Sequence, residues 1–552
     1  MRAWKIVAVG TAWALCACPD EPEPPCETST WYADADDDGY GAAATEACEA
    51  PAGTVAVPGD CDDDDPARNP DAEELCDGVD SDCDGVANGP GEDLDADEDG
   101  AVACEDCDDE DPATGPEMDE VCDGVDRDCS GVVDDLDEDG DGHSPCVVPG
   151  DCDDQDPDAF PLVVAEGGDD AAPGTPADPL ASLTQAFSGL DDVCRLVYFP
   201  AGATEQSATW TEGSVTLRGA ARDDAHLVAP TGARILDVTG GELTLEALTL
   251  RGGDVVGAAG GAVQVQAAAL TARDVRFTEN QAEWEGGALA AYGAQIVLEN
   301  VLVDGNTADD VGGVRIVGGG LTSRASEYRA NVGRWTAALA VEDADLTIEG
   351  DTYVANEGGA LAAYQPRNFL VERSTFTGNL GIAMAFNTGL GTGNTVRNNI
   401  VRGNISEGPA VDLRGFSCRV VFANNTLYDN DVGDDVGALE IVVADARELV
   451  VRANLIVATG GGHGVRADMD QPGVVDFNTV FGSAGDDFAG DVVEGTDDNR
   501  ARDPLFVDAA ANDFALRAES PARDSGPEGQ PWLDLDGSRN DRGATGGPGA
   551  AP

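Results

Sequence analysis

The chain has 552 residues, with 108 Asp plus Glu against 30 Lys plus Arg, a formal net charge of −78 and a pI near 4.1. So acidic a surface repels phosphate backbones and anionic headgroups, which excludes nucleic acid as a partner and leaves divalent cations as the natural one. Lys5 is the only lysine, so lysine Schiff-base and P-loop chemistry are excluded beyond the N-terminal segment, and 5% aromatics with 70 glycines argue against an ordinary large α/β enzyme.

Arg2 and Lys5 precede an apolar run from Ile6 to Leu15. It is too short to span a bilayer and reads as a secretory h-region, so the protein is expected to be exported. The run ends Leu15-Cys16-Ala17-Cys18, which resembles a bacterial lipobox with Cys18 as the lipidated residue. That resemblance implies membrane contact only through a lipid anchor, at the cell surface or outer membrane. Residues 1–18 are read as a lipoprotein-type signal peptide and residues 19–30, rich in Pro and Glu, as an extended tether.

Residues 31–161 carry most of the charge. Between Asp20 and Asp158 there are 51 acidic residues against Arg68 and Arg127. Eleven of the 15 cysteines lie between Cys26 and Cys152. Asp60-Cys61 returns as Asp106-Cys107 and Asp151-Cys152, and Cys76-Asp77-Gly78-Val79-Asp80 returns as Cys122-Asp123-Gly124-Val125-Asp126. These are tandem small modules, each with too little apolar sequence for its own core, so each needs disulfides or metal.

Each module opens with carboxylates at alternate positions before a glycine: Asp34, Asp36, Asp38 with Gly39; Asp95, Asp97, Asp99 with Gly100; Asp137, Asp139, Asp141 with Gly142. Such a loop wraps a hard cation, the glycine supplying the turn. Thr45 stands where an EF-hand needs Glu, so these are not EF-hands. Further ligands are expected from Asp60, Asp62, Asp63 and Asp65, from Asp77, Asp80, Asp82 and Asp84, and from their repeats Asp106, Asp108, Asp109, Asp111, Asp123, Asp126 and Asp128. The expected ion is Ca2+.

Proximity within modules pairs Cys48 with Cys61, Cys76 with Cys83, Cys104 with Cys107, Cys122 with Cys129 and Cys146 with Cys152, leaving Cys26, Cys194 and Cys418 over. The runs Trp31 to Gly41, Gly59 to Pro66 and Glu74 to Gly85 resemble the MopE-type metal-binding motif of secreted bacterial surface proteins. The second module departs from it with Ser130 in place of Asp84 and Gly115 in place of Asn69, and the third ends at Phe160-Pro161 before any second cysteine element. Complete sites are therefore expected in modules one and two.

A second period runs through residues 243–485. Asn280, Asn306, Asn331, Asn356, Asn379, Asn404 and Asn430 recur at intervals of 23 to 26. Three residues before each stands Phe277, Val303, Tyr328, Tyr353, Phe376, Val401 or Leu427. Gly-Gly-Ala elements separate the rungs. The fold expected is mainly β: a right-handed parallel β-helix, a single-stranded solenoid of about eleven coils of ~25 residues and ~50 Å long. A structural ladder of stacked Asn amides lies at one corner, and the Asp/Cys-rich module before it has little regular structure. Gly286-Gly287-Ala288-Leu289 and Phe277-Thr278-Glu279-Asn280 resemble the chlamydial polymorphic membrane protein repeat, which implies a surface location.

Residues 162–200 read as an entry strand and N-terminal cap helix, the helix spanning Ala177 to Phe187. The β-helix follows over residues 201–490. Residues 491–552 read as a C-terminal cap and disordered tail, with Asp503-Pro504-Leu505-Phe506 resembling the tail of choice-of-anchor β-helix proteins.

No catalytic residue is assigned. Asp434-Asp435 and His463, about one coil apart, match only part of a polygalacturonase pattern, and Arg402 and Arg414 are unmarked as bases. The expected function is a non-catalytic, exported surface protein with calcium-binding repeats and a β-helix for adhesion, extracellular glycan or protein binding, or structure. The rival is a secreted polysaccharide lyase or glycoside hydrolase of the pectin-lyase-like β-helix type.

Overall fold

The computed structural model describes residues 27–550 apart from 73–78, 86–95, 98–99, 102–105, 109, 117, 119–120, 122–123, 134–145, 147–149, 151, 153–154, 157–158, 191, 388–392, 416–418, 444–448, 458, 472 and 548. The signal segment and Cys18 lie outside these residues. Among the described residues no helix is long and apolar enough to cross a membrane. The chain divides into two compact units, residues 1–136 and 137–552.

The first unit has little regular structure. Ser29–Ala33 pairs antiparallel with Ala44–Ala47 and with Thr54–Val55, and the other described residues are mostly turns and bends. Disulfides replace a core, and their connectivity corrects the proximity pairing. Cys61 bonds Cys83 and Cys107 bonds Cys129, each across 22 residues. The turn after Asp80 explains this. Gly85 N–H donates to the Asp80 carboxylate, and Cys83 adopts a left-handed φ of 60° that turns its sulfur toward Cys61. The second module repeats the arrangement with Gly131 on Asp126 and Cys129 at φ 56°. Cys48 and Cys146 are also in disulfides. Cys76, Cys104, Cys122 and Cys418 fall outside the described residues.

The third module lies in the second unit. It lacks the second cysteine element, and Cys152 bonds Cys194 instead, a residue left over by the proximity pairing. Cys152 N–H also donates to the carbonyl of buried Ala159. Leu162–Val163 then pairs with Leu196–Phe199 as the entry strand. The cap helix is shorter than expected, Leu183–Gly189. Ser182 caps it through Oγ on Gln185 N–H, so Ala177 to Ala181 remain loop. Buried Leu183 and Ala186 face the first coil, and Phe187 meets Trp210 edge-on at 5.0 Å.

The rest is a mainly β, parallel β-solenoid of about eleven turns between residues 202 and 501. One sheet stacks 13 short strands, from Gly202–Glu205 to Arg500–Ala501. Alternation sets the faces: in Asp345–Glu349, Leu346 and Ile348 point in while Asp345 is exposed. Val303, Tyr328, Tyr353, Phe376, Val401 and Leu427 lie in register on successive coils, all buried. Tyr353 stacks on Tyr328 at 4.8 Å and on Phe376 at 4.6 Å, nearly parallel.

The seven ladder asparagines sit beside this column, each at most 1% exposed. Asn356 is typical. Its Oδ1 accepts from the N–H and Nδ2 of Asn331 at 3.1 and 3.0 Å. Its Nδ2 donates to Tyr328 O and Asn379 Oδ1 at 2.9 and 2.8 Å. The residue before each ladder Asn turns the corner in the left-handed region, as at Ala355 (φ 52°) and Gly378 (φ 62°). For alanine that conformation costs about 1 kcal/mol, and the ladder bonds over-determine it.

A second ladder on the same solenoid was not anticipated. It runs Ser326, Asp351, Ser374, Asn399, Asn425, Asn454, Asn478, Asn499, all buried. From Ser326 to Asn478 each N–H donates to the side chain of the next coil, as from Ser374 to Asn399 Oδ1 at 3.0 Å.

The expected disordered tail is instead a buried strap over the last coils, through residue 547. Asn424 Nδ2 donates to Asp541 O, Asn398 Nδ2 to Ala544 O, and Gly543 N–H to Ala453 O. Its glycines allow close approach. A Cβ on Gly543 would lie 2.5 Å from Leu455 Cδ1. Arg542 anchors the strap, fully buried, donating to Asp498 O at 3.1 Å, Ser525 O at 2.9 Å and Thr479 Oγ1 at 3.1 Å. Burial, with Arg500 nearby, pushes its pKa down to about 9. Arg542→Met leaves these carbonyls unpaired and is expected to cost the solenoid about 2–3 kcal/mol, read as a lower urea midpoint.

Candidate metal centres

Asp34 follows directly on the strand Ser29–Ala33, and the loop to Gly39 folds back on itself. Gly39 takes φ 99°, and Gly41 packs so closely that a Cβ would fall 2.4 Å from Ala33 O. Two carboxylates hold the loop by one oxygen each. Asp36 Oδ1 accepts from Asp38 N–H at 3.2 Å, and Asp38 Oδ1 from Tyr40 N–H at 2.8 Å. Asp60, arriving from the next turn, does the same for Asp62 N–H at 2.8 Å.

The other oxygens decide the chemistry. Asp34 Oδ1, Asp36 Oδ2, Asp38 Oδ2 and Asp60 Oδ2 are buried and accept no hydrogen bond. Asp34 and Asp60 are 8% and 7% exposed. Oxygens of Asp34, Asp36 and Asp38 lie within 4.8 Å of one another. Burial, with the charges of Asp38, Asp60 and Asp34, pushes the Asp36 carboxyl up. Buried, unpaired anionic oxygens facing each other are costly without a counter-ion. Carboxylate oxygens of this kind suit a hard cation.

A second cluster is Asp80, Asp82 and Asp84, again within 4.8 Å. Asp80 Oδ2 and Asp82 Oδ1 shape the turn on Gly85 and Asp84 N–H, while Asp80 Oδ1 is buried without a hydrogen bond. In the second module Asp126 and Asp128 shape the same turn on Ser130 N–H, but Ser130 removes the third carboxylate. Asp106 keeps a buried Oδ2 without a hydrogen bond, like Asp60. Cys107 and Cys129 lie against Asp106 but are bonded to each other and offer no thiolate.

The other predicted ligands make contacts of their own. Asp62 pairs with Arg68 at 2.8 Å, Asp63 accepts from Ala35 N–H, and Asp65 and Asp111 accept from Ala67 and Ala113 N–H. Asp97 and Asp108 are described, Asp108 N–H bonding Asp106. Asp77, Asp95, Asp99, Asp109, Asp123, Asp137, Asp139 and Asp141 fall outside the described residues. Of the residues considered for catalysis, Asp434 and Asp435 are exposed, and His463 Nδ1 accepts from Asp486 N–H at 3.1 Å. Arg414 is held by Asp412 at 2.6 Å.

Comparison with known families agrees with both halves. A family model described as "Putative metal-binding motif" matches residues 60–88, 106–135 and 151–163, and one described as "Right handed beta helix region" matches residues 338–503. Among solved structures the chain is similar to pectate lyase Pel9A, with 17% identity, 69% of this chain and 95% of that chain covered, and a TM-score of 0.38. It is similar to a rhamnogalacturonan lyase (13% identity, 62% and 86% covered, TM-score 0.34). It is also similar to the Streptococcus pneumoniae surface protein and adhesin PfbA (12% identity, 59% and 99% covered, TM-score 0.31). These likenesses concern the fold alone. No curated protein matches the chain. The motif, the disulfides and the β-solenoid fit an exported, extracellular protein.

Proposed function

We propose that the protein is an exported, calcium-binding surface protein that acts through binding rather than catalysis. The acidic repeats bind Ca2+, first at Asp34, Asp36, Asp38 and Asp60, and the solenoid presents a rigid binding surface. The observation that carries the cation reading is the set of four buried carboxylate oxygens without hydrogen-bond donors. All-oxygen donors, with the neighbouring cysteines consumed in disulfides, favour a hard ion over a soft one. Calcium ligation accepts the irregular, flexible geometry that Mg2+ does not.

Calorimetric titration of the chelator-treated full-length protein tests this. Calcium is expected to bind with dissociation constants of about 10⁻⁴–10⁻³ M or tighter, the range of extracellular modules. Asp36→Asn with Asp38→Asn is expected to remove one site from the stoichiometry without moving the solenoid's thermal transition. No heat at millimolar calcium, or an unchanged stoichiometry in the double variant, overturns the assignment.

A further inference from the structure

We propose that one face of the solenoid carries a groove for a neutral polysaccharide chain. The proposal stands on the solenoid alone and is independent of cation binding in the repeats. Two abutting cavities, of about 380 and 650 Å³, share Trp335, Thr336, Tyr364 and Asn387. Their floor is set by register. Ala340, Ala362 and Ala385 stand at one position on three successive coils, with Arg315 before them and Asp412 after them at the same position. With coils ~4.8 Å apart, three small residues between two charged ones open a trough ~15–20 Å long, closed at both ends. Tyr364 and Asn387 stand one above the other along it. Exposed Trp335, Leu380 and Ile405 form the facing wall, Trp335 being 66% exposed.

The charge pattern selects the occupant. Arg315 pairs with Glu285 at 2.9 Å and with Glu342, Arg414 with Asp412 at 2.6 Å, and Arg334 with Asp310 at 2.8 Å. Each arginine lining the groove is thus already neutralised, and acidic groups outnumber them. An anionic chain would meet paired cations and repelling carboxylates. A neutral chain of sugar rings suits the surface better. Its hydroxyls can bridge both members of a fixed ion pair, donating to the carboxylate and accepting from the guanidinium, without displacing either. Its apolar ring faces can cover Trp335, the part of the groove that gains most from leaving water.

The test is affinity electrophoresis and calorimetry of the full-length protein, in calcium and in chelator, against a soluble β-glucan, a mannan and a xylan, with polygalacturonate as the anionic counterpart. At least one neutral chain is expected to bind, equally in both buffers, and more tightly than polygalacturonate. Trp335→Ala and, separately, Ala385→Tyr, which fills the trough without removing a polar group, are each expected to weaken that binding at least tenfold. The thermal transition of each variant should match that of the parent, which separates a blocked groove from a damaged fold. Failure of all three neutral chains to bind, a preference for polygalacturonate, or binding indifferent to either variant overturns the proposal. Calcium titration as above then still stands or falls by itself.

Discussion

Asn356→Ala is expected to destabilise the solenoid by about 5 kcal/mol, measured as the shift of its unfolding transition in urea. Truncation removes the acceptor of two donors, the N–H and Nδ2 of Asn331, and the donor to Tyr328 O. All three groups are in the interior, where water cannot replace the lost partner, and each orphan costs about 1–3 kcal/mol. The same change also frees Ala355 from the bonds that hold it at φ 52°. The damage is local in sequence but not in structure, because Asn331 and Asn379 belong to the coils before and after. An ion pair on the outer face gives the scale. Arg329→Ala, which breaks the half-buried Arg329–Asp304 bridge at 3.0 Å while Arg276 still pairs with Asp304, is expected to cost about 1 kcal/mol. If both variants shift the transition equally, the ladder contributes nothing beyond an ordinary polar contact.

The first ladder was legible because one residue type recurs at one interval, beside one column of large apolar residues. The second was not, because Ser326, Asp351 and Ser374 hold the positions that Asn399, Asn425 and Asn454 hold later. Different side chains satisfy one backbone demand, and a sequence pattern averages them away. The D-x-D-x-D loops stand out in the sequence, but the approach of Asp60 to Asp36 depends on a later turn of the chain. So does the pairing of Asp62 with Arg68. Cysteine pairing failed for the same reason: nearness along the chain says little when a left-handed residue such as Cys83 turns its side chain across the module. The groove needed coil-by-coil register. The steps from Ala340 to Ala362 to Ala385 are 22 and 23 residues, and that from Ala385 to Asp412 is 27, so no fixed period aligns them.

The net charge of −78 has a structural counterpart. Its densest part forms loops in which Asp36, Asp38 and Asp60 each spend one oxygen on a backbone turn and bury the other. A surface evolved only for solubility would point both oxygens at water. Cation binding would therefore be coupled to the rigidity of the repeats, since the same side chains carry both tasks.

Asp351→Asn is expected to stabilise the solenoid at pH 8 by roughly 4 kcal/mol and to leave it nearly unchanged at about pH 4. Asp351 is 1% exposed and occupies a rung of the second ladder. Its Oδ1 accepts from Ser326 N–H at 2.9 Å, and Tyr353 OH approaches Oδ2 at 3.4 Å. Facing it are the hydroxyls of Ser323, Tyr328 and Tyr353, and the nearest charge, Glu349, is of the same sign. Burial raises its pKa from 3.8 to about 7, outweighing the Ser323, Ser326 and Tyr353 hydrogen bonds. Burial and the Asp351 charge likewise hold both phenols protonated, their pKa values raised well above 10.0. A raised carboxyl pKa means that the fold favours the neutral acid. Its contribution is therefore fully present below about pH 4 and is lost as the pH rises through about 7. Asn keeps the neutral acid's shape at every pH. Its Oδ1 can take the Ser326 N–H, and its Nδ2 can donate 28 residues back to residue 323, as Asn399 donates to Val371 at 2.9 Å. Paired carboxylates work in the opposite direction: Asp304, despite its burial, is held below the usual range by Arg329 and Arg276, so its contribution is lost as the pH falls. The bulk pH profile mixes these signs, and only the difference between Asp351→Asn and the parent isolates this rung. Urea midpoints of the two proteins at pH 4, 6 and 8 are expected to diverge progressively. A difference that stays constant across that range would mean that Asp351 does not titrate within it.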